Sequence, residues 1–245
     1  MKTARVFGVP IEGRAFAEIM ASVLASSTPY WIVTVNAENL LLAQEHQAYK
    51  DAICAADERT VDSVGVWFAL RFRGYRTQRL TGVDLAEGLI REAAARGWKV
   101  AFFGGETGVA EQAAAVWRHR CPGLDIRAWS GGVVGQDGTE DGLTWEDRED
   151  MTRWRPDLIL CALGGGGTRQ ERWIARHRDT FVGCRAIVGV GGAFDMWAGR
   201  LPRAPRLMRS FGLEWLWRWI LQPTRWKRMW RATAVFAWRV FQEKR

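Results

Sequence analysis

Cysteine and histidine are scarce in this chain. Its four cysteines, Cys54, Cys121, Cys161 and Cys184, form no CxxC pair, and His46, His119 and His177 show no HExxH spacing. A disulfide framework and a zinc site are both disfavoured. No predominantly apolar stretch reaches the length of a membrane span, so a spanning helix is not expected. The opening residues, MKTARVFGVPIEGRAF, contain no apolar segment of signal-peptide length, which predicts a protein that stays in the cytoplasm. None of the glycine-rich turns is a GxGxxG and none carries the GKS or GKT of a P-loop, which weakens a classical NAD site and a P-loop ATPase. Asp-x-Asp, the usual metal clamp of sugar-nucleotide transferases, occurs nowhere, and no other cofactor is implied.

What the chain does have is a core's worth of apolar residues, 48% of 245, and a charge that is unevenly placed. The formal net charge is +8, yet residues 196–245 carry 12 Lys and Arg against Glu214 and Glu243, while the preceding part is near neutral. The same tail holds seven of the 15 tryptophans: Trp197, Trp215, Trp217, Trp219, Trp226, Trp230 and Trp238. Basic and aromatic residues at this density point to an anionic partner, and an anionic membrane surface, a phosphate-bearing ligand and nucleic acid all fit. Nucleic acid is disfavoured because no helix-turn-helix, zinc or RNA-binding signature accompanies the charge. The expected division is a core over residues 1–199 and a basic, amphipathic helical appendage over residues 200–245.

Upstream of the tail, short β-branched runs repeatedly pass into Gly, Asn or Thr and then into a helical pattern. The clearest are Trp31 to Ala43, Lys99 to Ala114, Asp157 to Ile174 and Ala186 to Asp195. Such alternation predicts a Rossmann-like α/β fold, a mostly parallel sheet with flanking helices. Ligands then bind beyond the carboxyl ends of the strands, so the turns at 34–36, 104–108, 164–167 and 191–195 are candidate site walls. Residues Gly131 to Glu149, rich in glycine and acids, read as a surface loop with a short helix.

Asp62 precedes an amphipathic run, Val64, Val66, Trp67 and Leu70, and reads either as a helix N-cap or as a carboxylate base at a helix entry. Asp84 has the same two readings, with the cap favoured. Asn36 likewise reads as no more than the cap of the helix that starts ENLLLAQEH. In the tail, Pro223 should end one helix and start the next, placing Arg218 near the end of the first and Arg225 and Arg228 at the start of the second. The second helix aligns Trp226, Trp230, Ala234, Ala237 and Phe241 on one apolar face.

The blocks TVNAENL (34–40), VDSVGVWFALRFRG (61–74), RLTGVDL (79–85), AFFGGETGVAEQAA (101–114), RPDLILCALG (155–164), RQERWI (169–174), VGVGGAFDMWAG (188–199) and RAPRLMRSFGLEWLWRWILQPTRWKR (203–228) together resemble the WecG/TagA/CpsF glycosyltransferases. The resemblance implies an inverting transfer of a hexose, of N-acetylmannosamine type or glucose, from a UDP-sugar to a polyprenyl-diphosphate-linked sugar, in bacterial cell-surface polysaccharide synthesis. It implies a protein peripheral on the inner face of the cell membrane. It places the catalytic base at Asp62 and pocket positions at Thr34, Asn36, Arg79 and Gln170. It assigns Arg218, Arg225 and Arg228 to the diphosphate, which fits a metal-independent transfer. A non-catalytic scaffold of a polysaccharide assembly is the other reading, and a homo-oligomer stays open. Two departures from the family pattern stand out: Ser63 follows Asp62 where glycine is usual, and GGGGTRQE carries two extra residues ahead of Gln170.

Overall fold

The computed structural model describes residues 3–164 and 167–243, apart from the side chain of Arg225. The chain opens with β1 (Ala4–Val6), β2 (Val9–Ile11) and α1 (Phe16–Ala25), then runs β3 (Tyr30–Val35), α2 (Ala37–Glu45), α3 (Gln47–Cys54), β4 (Glu58–Val61) and α4 (Val64–Phe72). It continues through α5 (Gly82–Arg96), β5 (Val100–Gly104), α6 (Val109–Arg120), β6 (Ile126–Trp129), α7 (Gly142–Trp154), β7 (Leu158–Ala162), α8 (Arg169–His177), β8 (Ala186–Gly189) and α9 (Ala193–Trp197). The tail adds α10 (Arg206–Ser210), α11 (Glu214–Leu221), α12 (Trp226–Trp230), a π turn at Arg231–Val235 and α13 (Phe236–Gln242).

β1 and β2 form a small antiparallel hairpin; the other six strands form one sheet in the order β4-β3-β8-β7-β5-β6. Every neighbour in that sheet is parallel, as the alternating pattern predicts. Strand residues alternate between two cores because successive side chains point to opposite faces. Trp31, Val33, Phe103, Ile159 and Ile187 meet α2, α3, α4 and α8, whereas Ile32, Phe102, Leu160 and Val188 meet α1, α5, α6 and α9.

The chain leaves β3 for α2 on one face and β8 for α9 on the other, so a crevice opens above this pair. That is the switch-point geometry in which parallel sheets bind ligands. Among the described residues no helix is long and apolar enough to cross a membrane.

The acidic stretch after β6 departs from the expected surface loop. α7 occupies thirteen residues and runs on to Trp154. Asp141 caps it by accepting the Thr144 amide at 2.7 Å, and Thr144, Arg148 and Met151 are buried on its inner face. The acids that suggested a loop are largely engaged: Glu140 and Glu149 pair with Arg148, and Asp147 accepts from Ser130 and the Gly131 amide. Asp84 is likewise not a cap: Thr81 caps α5, and Asp84 sits in the first turn, accepting the Thr81 hydroxyl at 2.7 Å and pairing with Arg203.

The tail folds back onto the body. Phe236 is buried against Gly65 and edge-on to Phe7. Arg231 bonds Glu45 at 2.6 and 2.7 Å, and Arg239 donates to Gln44 at 2.9 Å, both at the end of α2. Of the predicted stripe, Trp226, Trp230, Ala237 and Phe241 are exposed and Ala234 is half-buried, but the π turn interrupts the helix between Trp230 and Ala237, and Ala237 and Phe241 line a cavity that Trp226 and Trp230 do not.

Candidate functional site

Two cavities lie side by side at the carboxyl end of the sheet. One, of about 750 Å³, is bounded by Asn36, Asp62, Arg79, Arg218 and Arg228 and by apolar side chains of α4 and the tail. The other, of about 550 Å³, is polar and glycine-walled, lined by Gly104, Gly105, Gly164, Gly191, Gly192 and Asp195. Arg218 and Arg228 border both. Three of the four predicted turns thus wall the polar cavity; the turn after β3 contributes Asn36 to the other, and Ser130 to Val134 after β6 is a wall the sequence did not suggest. In the 164–167 turn, which carries the two extra residues, Gly165 and Gly166 lie outside the described residues.

Asp62 directly follows β4, where its amide is held by the Val35 carbonyl at 2.9 Å. It does not cap the next helix; Ser63 does, accepting the Val66 amide at 3.4 Å. Its carboxylate instead accepts the Gly82 N–H at 2.8 Å, the first amide of α5, and the residue lines the cavity. Burial pushes the carboxyl up to about 6, against the lowering pull of the Gly82 amide; Glu214 adds to the rise, while Arg79 and the Asn36 amide oppose it. A carboxylate so placed is ionised near neutrality and is a stronger proton acceptor than a solvated one.

Asn36 caps α2, its Oδ1 accepting the amides of Glu38 and Asn39 at 3.0 Å each, and it also faces the cavity. Asn36 thus caps the helix and lines the cavity at once. Arg79 reaches the Arg209 carbonyl at 2.8 Å and Glu214 at 3.5 Å, fastening the start of the tail beside Asp62.

Thr34 and Gln170 converge on Gly189 at the end of β8. The Thr34 hydroxyl is 3.5 Å from the Gly189 carbonyl, and the Gln170 amide lies so close over Gly189 that a Cβ there would collide with it. Gln170 donates to the buried Glu171 at 3.0 Å. The structure thus groups Asn36, Asp62, Arg79, Arg218 and Arg228 around one space, whereas Thr34 and Gln170 meet at Gly189 and line neither cavity.

Arg218, from α11, lies over Gly192, where a side chain would strike its guanidinium. Burial lowers its pKa, as does neighbouring Arg228, and Asp195, Asp62 and Glu38 offset this. Its Nε has no hydrogen-bond partner among the described residues. Arg228 is held in a two-pronged pair with Glu38, at 2.9 and 2.7 Å. Glu38 and Glu214 are site residues that the sequence did not single out, because their roles depend on the tail returning to the body. The Arg225 side chain lies outside the described residues. No group of three or more His, Cys, Asp or Glu among the described residues is placed to hold a metal ion.

The sequence model of the glycosyl transferase WecG/TagA/CpsF family matches residues 4–245. Three curated relatives are each an N-acetylglucosaminyldiphosphoundecaprenol N-acetyl-beta-D-mannosaminyltransferase. That of Bacillus spizizenii is 31% identical over 81% of this chain and 74% of its own, and that of Bacillus subtilis is 32% identical over the same shares. That of Staphylococcus aureus strain MRSA252 is 29% identical over 90% of this chain and 83% of its own.

Proposed function

The chain belongs to the WecG/TagA/CpsF glycosyl transferase family, and from that premise we propose that it moves a hexose, of N-acetylmannosamine type or glucose, from a UDP-sugar to a sugar carried on a polyprenyl diphosphate. The observation that carries this reading is the placement of Asp62 and the Arg218–Arg228 pair around one cavity, with the arginines at its border with the polar, glycine-walled one. The polar cavity receives the nucleotide, because exposed backbone amides and small residues admit phosphate and ribose. The acceptor sugar enters beside Asp62.

Asp62 takes the proton from the attacking hydroxyl as the new glycosidic bond forms. The bond to UDP breaks on the opposite face of the anomeric carbon, inverting it, and UDP departs with the bonding pair. Arg218 and Arg228 neutralise the growing charge on its phosphates. The activity for which the relatives are named supports an N-acetylglucosaminyl-diphosphoryl lipid as acceptor.

The test is UDP release from a panel of UDP-hexoses in the presence of a short-chain N-acetylglucosaminyl-diphosphoryl lipid, run with and without EDTA. Acceptor-dependent release that persists in EDTA is expected. Release that ceases in EDTA and returns with Mg²⁺ would show that arginines alone do not neutralise the leaving group, and no release with any donor would overturn the transferase reading.

The same reading places the protein against the inner face of the cell membrane. Its support is the exposure of Trp226, Trp230 and Trp238 together with that of Lys227, since tryptophan and basic residues suit an anionic headgroup layer. Exchanging Trp230 and Trp238 together for Ser should weaken sedimentation with anionic vesicles at least ~10-fold, given ~1.5–3 kcal/mol for burying one large apolar side chain. Undiminished sedimentation, or tighter binding to an oligonucleotide than to vesicles, would remove the membrane from this account.

A further inference from the structure

The larger cavity is not chemically uniform. Its polar end holds Asp62 and the cations, but it continues along α4 and α13, which run side by side. Gly65 touches Phe236 near one end, and Arg73 pairs with Glu243 at 2.7 Å near the other. Phe68, Phe72, Ala237 and Phe241 turn their faces to the trough between these helices, with Phe236 below. Phe68 is 62%, Phe72 70% and Phe241 78% exposed. A sugar and a diphosphate are hydroxyl and anion throughout and gain little from such a wall. A hydrocarbon gains with every carbon it buries there.

Resting on the acceptor reading above, we propose that this trough is the binding site for the prenyl chain of the acceptor, entered at the lip formed by Phe72 and Phe241. α4 begins two residues after Asp62 and ends at Phe72, about 12 Å further on at 1.5 Å per residue. The sugar hydroxyl lies at Asp62, the diphosphate spans the intervening length, and the hydrocarbon begins where the wall becomes aromatic. The trough is continuous with the space around Asp62, so one acceptor molecule touches both. The site thus senses the lipid as well as the sugar, and does so without a bilayer.

Calorimetric binding of two acceptors to the full chain, without donor, vesicles or detergent, tests this. The probes are the methyl and the geranylgeranyl esters of N-acetylglucosaminyl diphosphate, the latter below its micelle-forming concentration. The geranylgeranyl ester should bind at least ~10-fold more tightly, with a more negative heat-capacity change, the mark of apolar burial. Phe72→Glu combined with Phe241→Glu, both at exposed positions that leave the core untouched, should shrink that ratio toward one. Equal affinity of the two esters for the unaltered protein, or an undiminished ratio in the double variant, would overturn the proposal. So would a preference that exists only when vesicles are present. Because no turnover is read, a failed trough and a failed transferase are told apart: the second is decided by UDP release.

Discussion

Asp62→Asn should lower turnover by ~10²–10⁴, the scale for losing a positioned base, while leaving the fold intact. The asparagine oxygen can still accept the Gly82 N–H that the carboxylate accepts at 2.8 Å, so the start of α5 keeps its anchor. With the carboxyl raised to about 6, kcat/KM of the unaltered enzyme should fall as pH drops below that value, because the protonated acid cannot take the acceptor's proton. Stability should move the other way. A carboxyl that is harder to ionise in the folded chain stabilises it most at low pH, and that contribution is lost as pH rises through about 6. The variant should therefore have a Tm at pH 7 equal to or above that of the unaltered protein, with the difference fading below pH 4. Near-normal turnover in Asp62→Asn, or a rate that does not change between pH 5 and 8, would remove Asp62 from the role of base.

Arg218→Ala should cost on the order of 10²–10³ in kcat with a modest change in vesicle binding. Arg218 contributes one of twelve basic residues in the tail, so its share of any surface attraction is small. Its guanidinium borders both cavities and is packed over Gly192. Arg218→Lys should recover little, because an ammonium lacks the planar fork that grips two phosphate oxygens. Arg228→Ala should behave similarly, leaving Glu38 without its two-pronged partner. Arg239→Ala serves as the comparison: it bonds Gln44 on the outer side of α2 and should change kcat less than threefold. Equal losses in Arg218→Ala and Arg239→Ala, measured side by side, would show that the tail acts through bulk charge.

Four of the six parallel strands were legible because they carry apolar or β-branched runs ahead of a glycine or asparagine turn. β4 and β6 were not. β4 reads ERTV, and its Glu58 and Arg59 are buried only because Arg14 and Glu12 reach in to pair with them. Those are contacts between segments far apart in the chain, on which local pattern is silent. β6 is short, and Arg127 in its middle is exposed, so it mimics a loop. At the site, Asp62, Arg79 and the tail arginines were marked by resemblance, and Pro223 did begin a new helical segment. The division into a polar and a partly apolar cavity was invisible, because it arises only when α11, α12 and α13 close over the sheet. Glu38 shows the limit most plainly: in sequence it is a first-turn acid of α2, and its service to Arg228 is written 190 residues away.

The pairing of β3 with β8 has a consequence for how the molecule is built. Tyr30 lies against Ala186, whereas β7 and β8 or β3 and β4 join strands near one another in the chain. Bringing such remote segments together carries the largest loop-closure entropy in the sheet and is rewarded only once the intervening strands are ordered. The crevice therefore lies on a seam between an early-numbered half-sheet, β4 and β3, and a later one, β8, β7, β5 and β6. Folding intermediates with either half formed alone lack the crevice above the β3–β8 pair. Recovery of activity on refolding should consequently lag behind recovery of helical signal, because the seam must close before there is anything for the tail to cover.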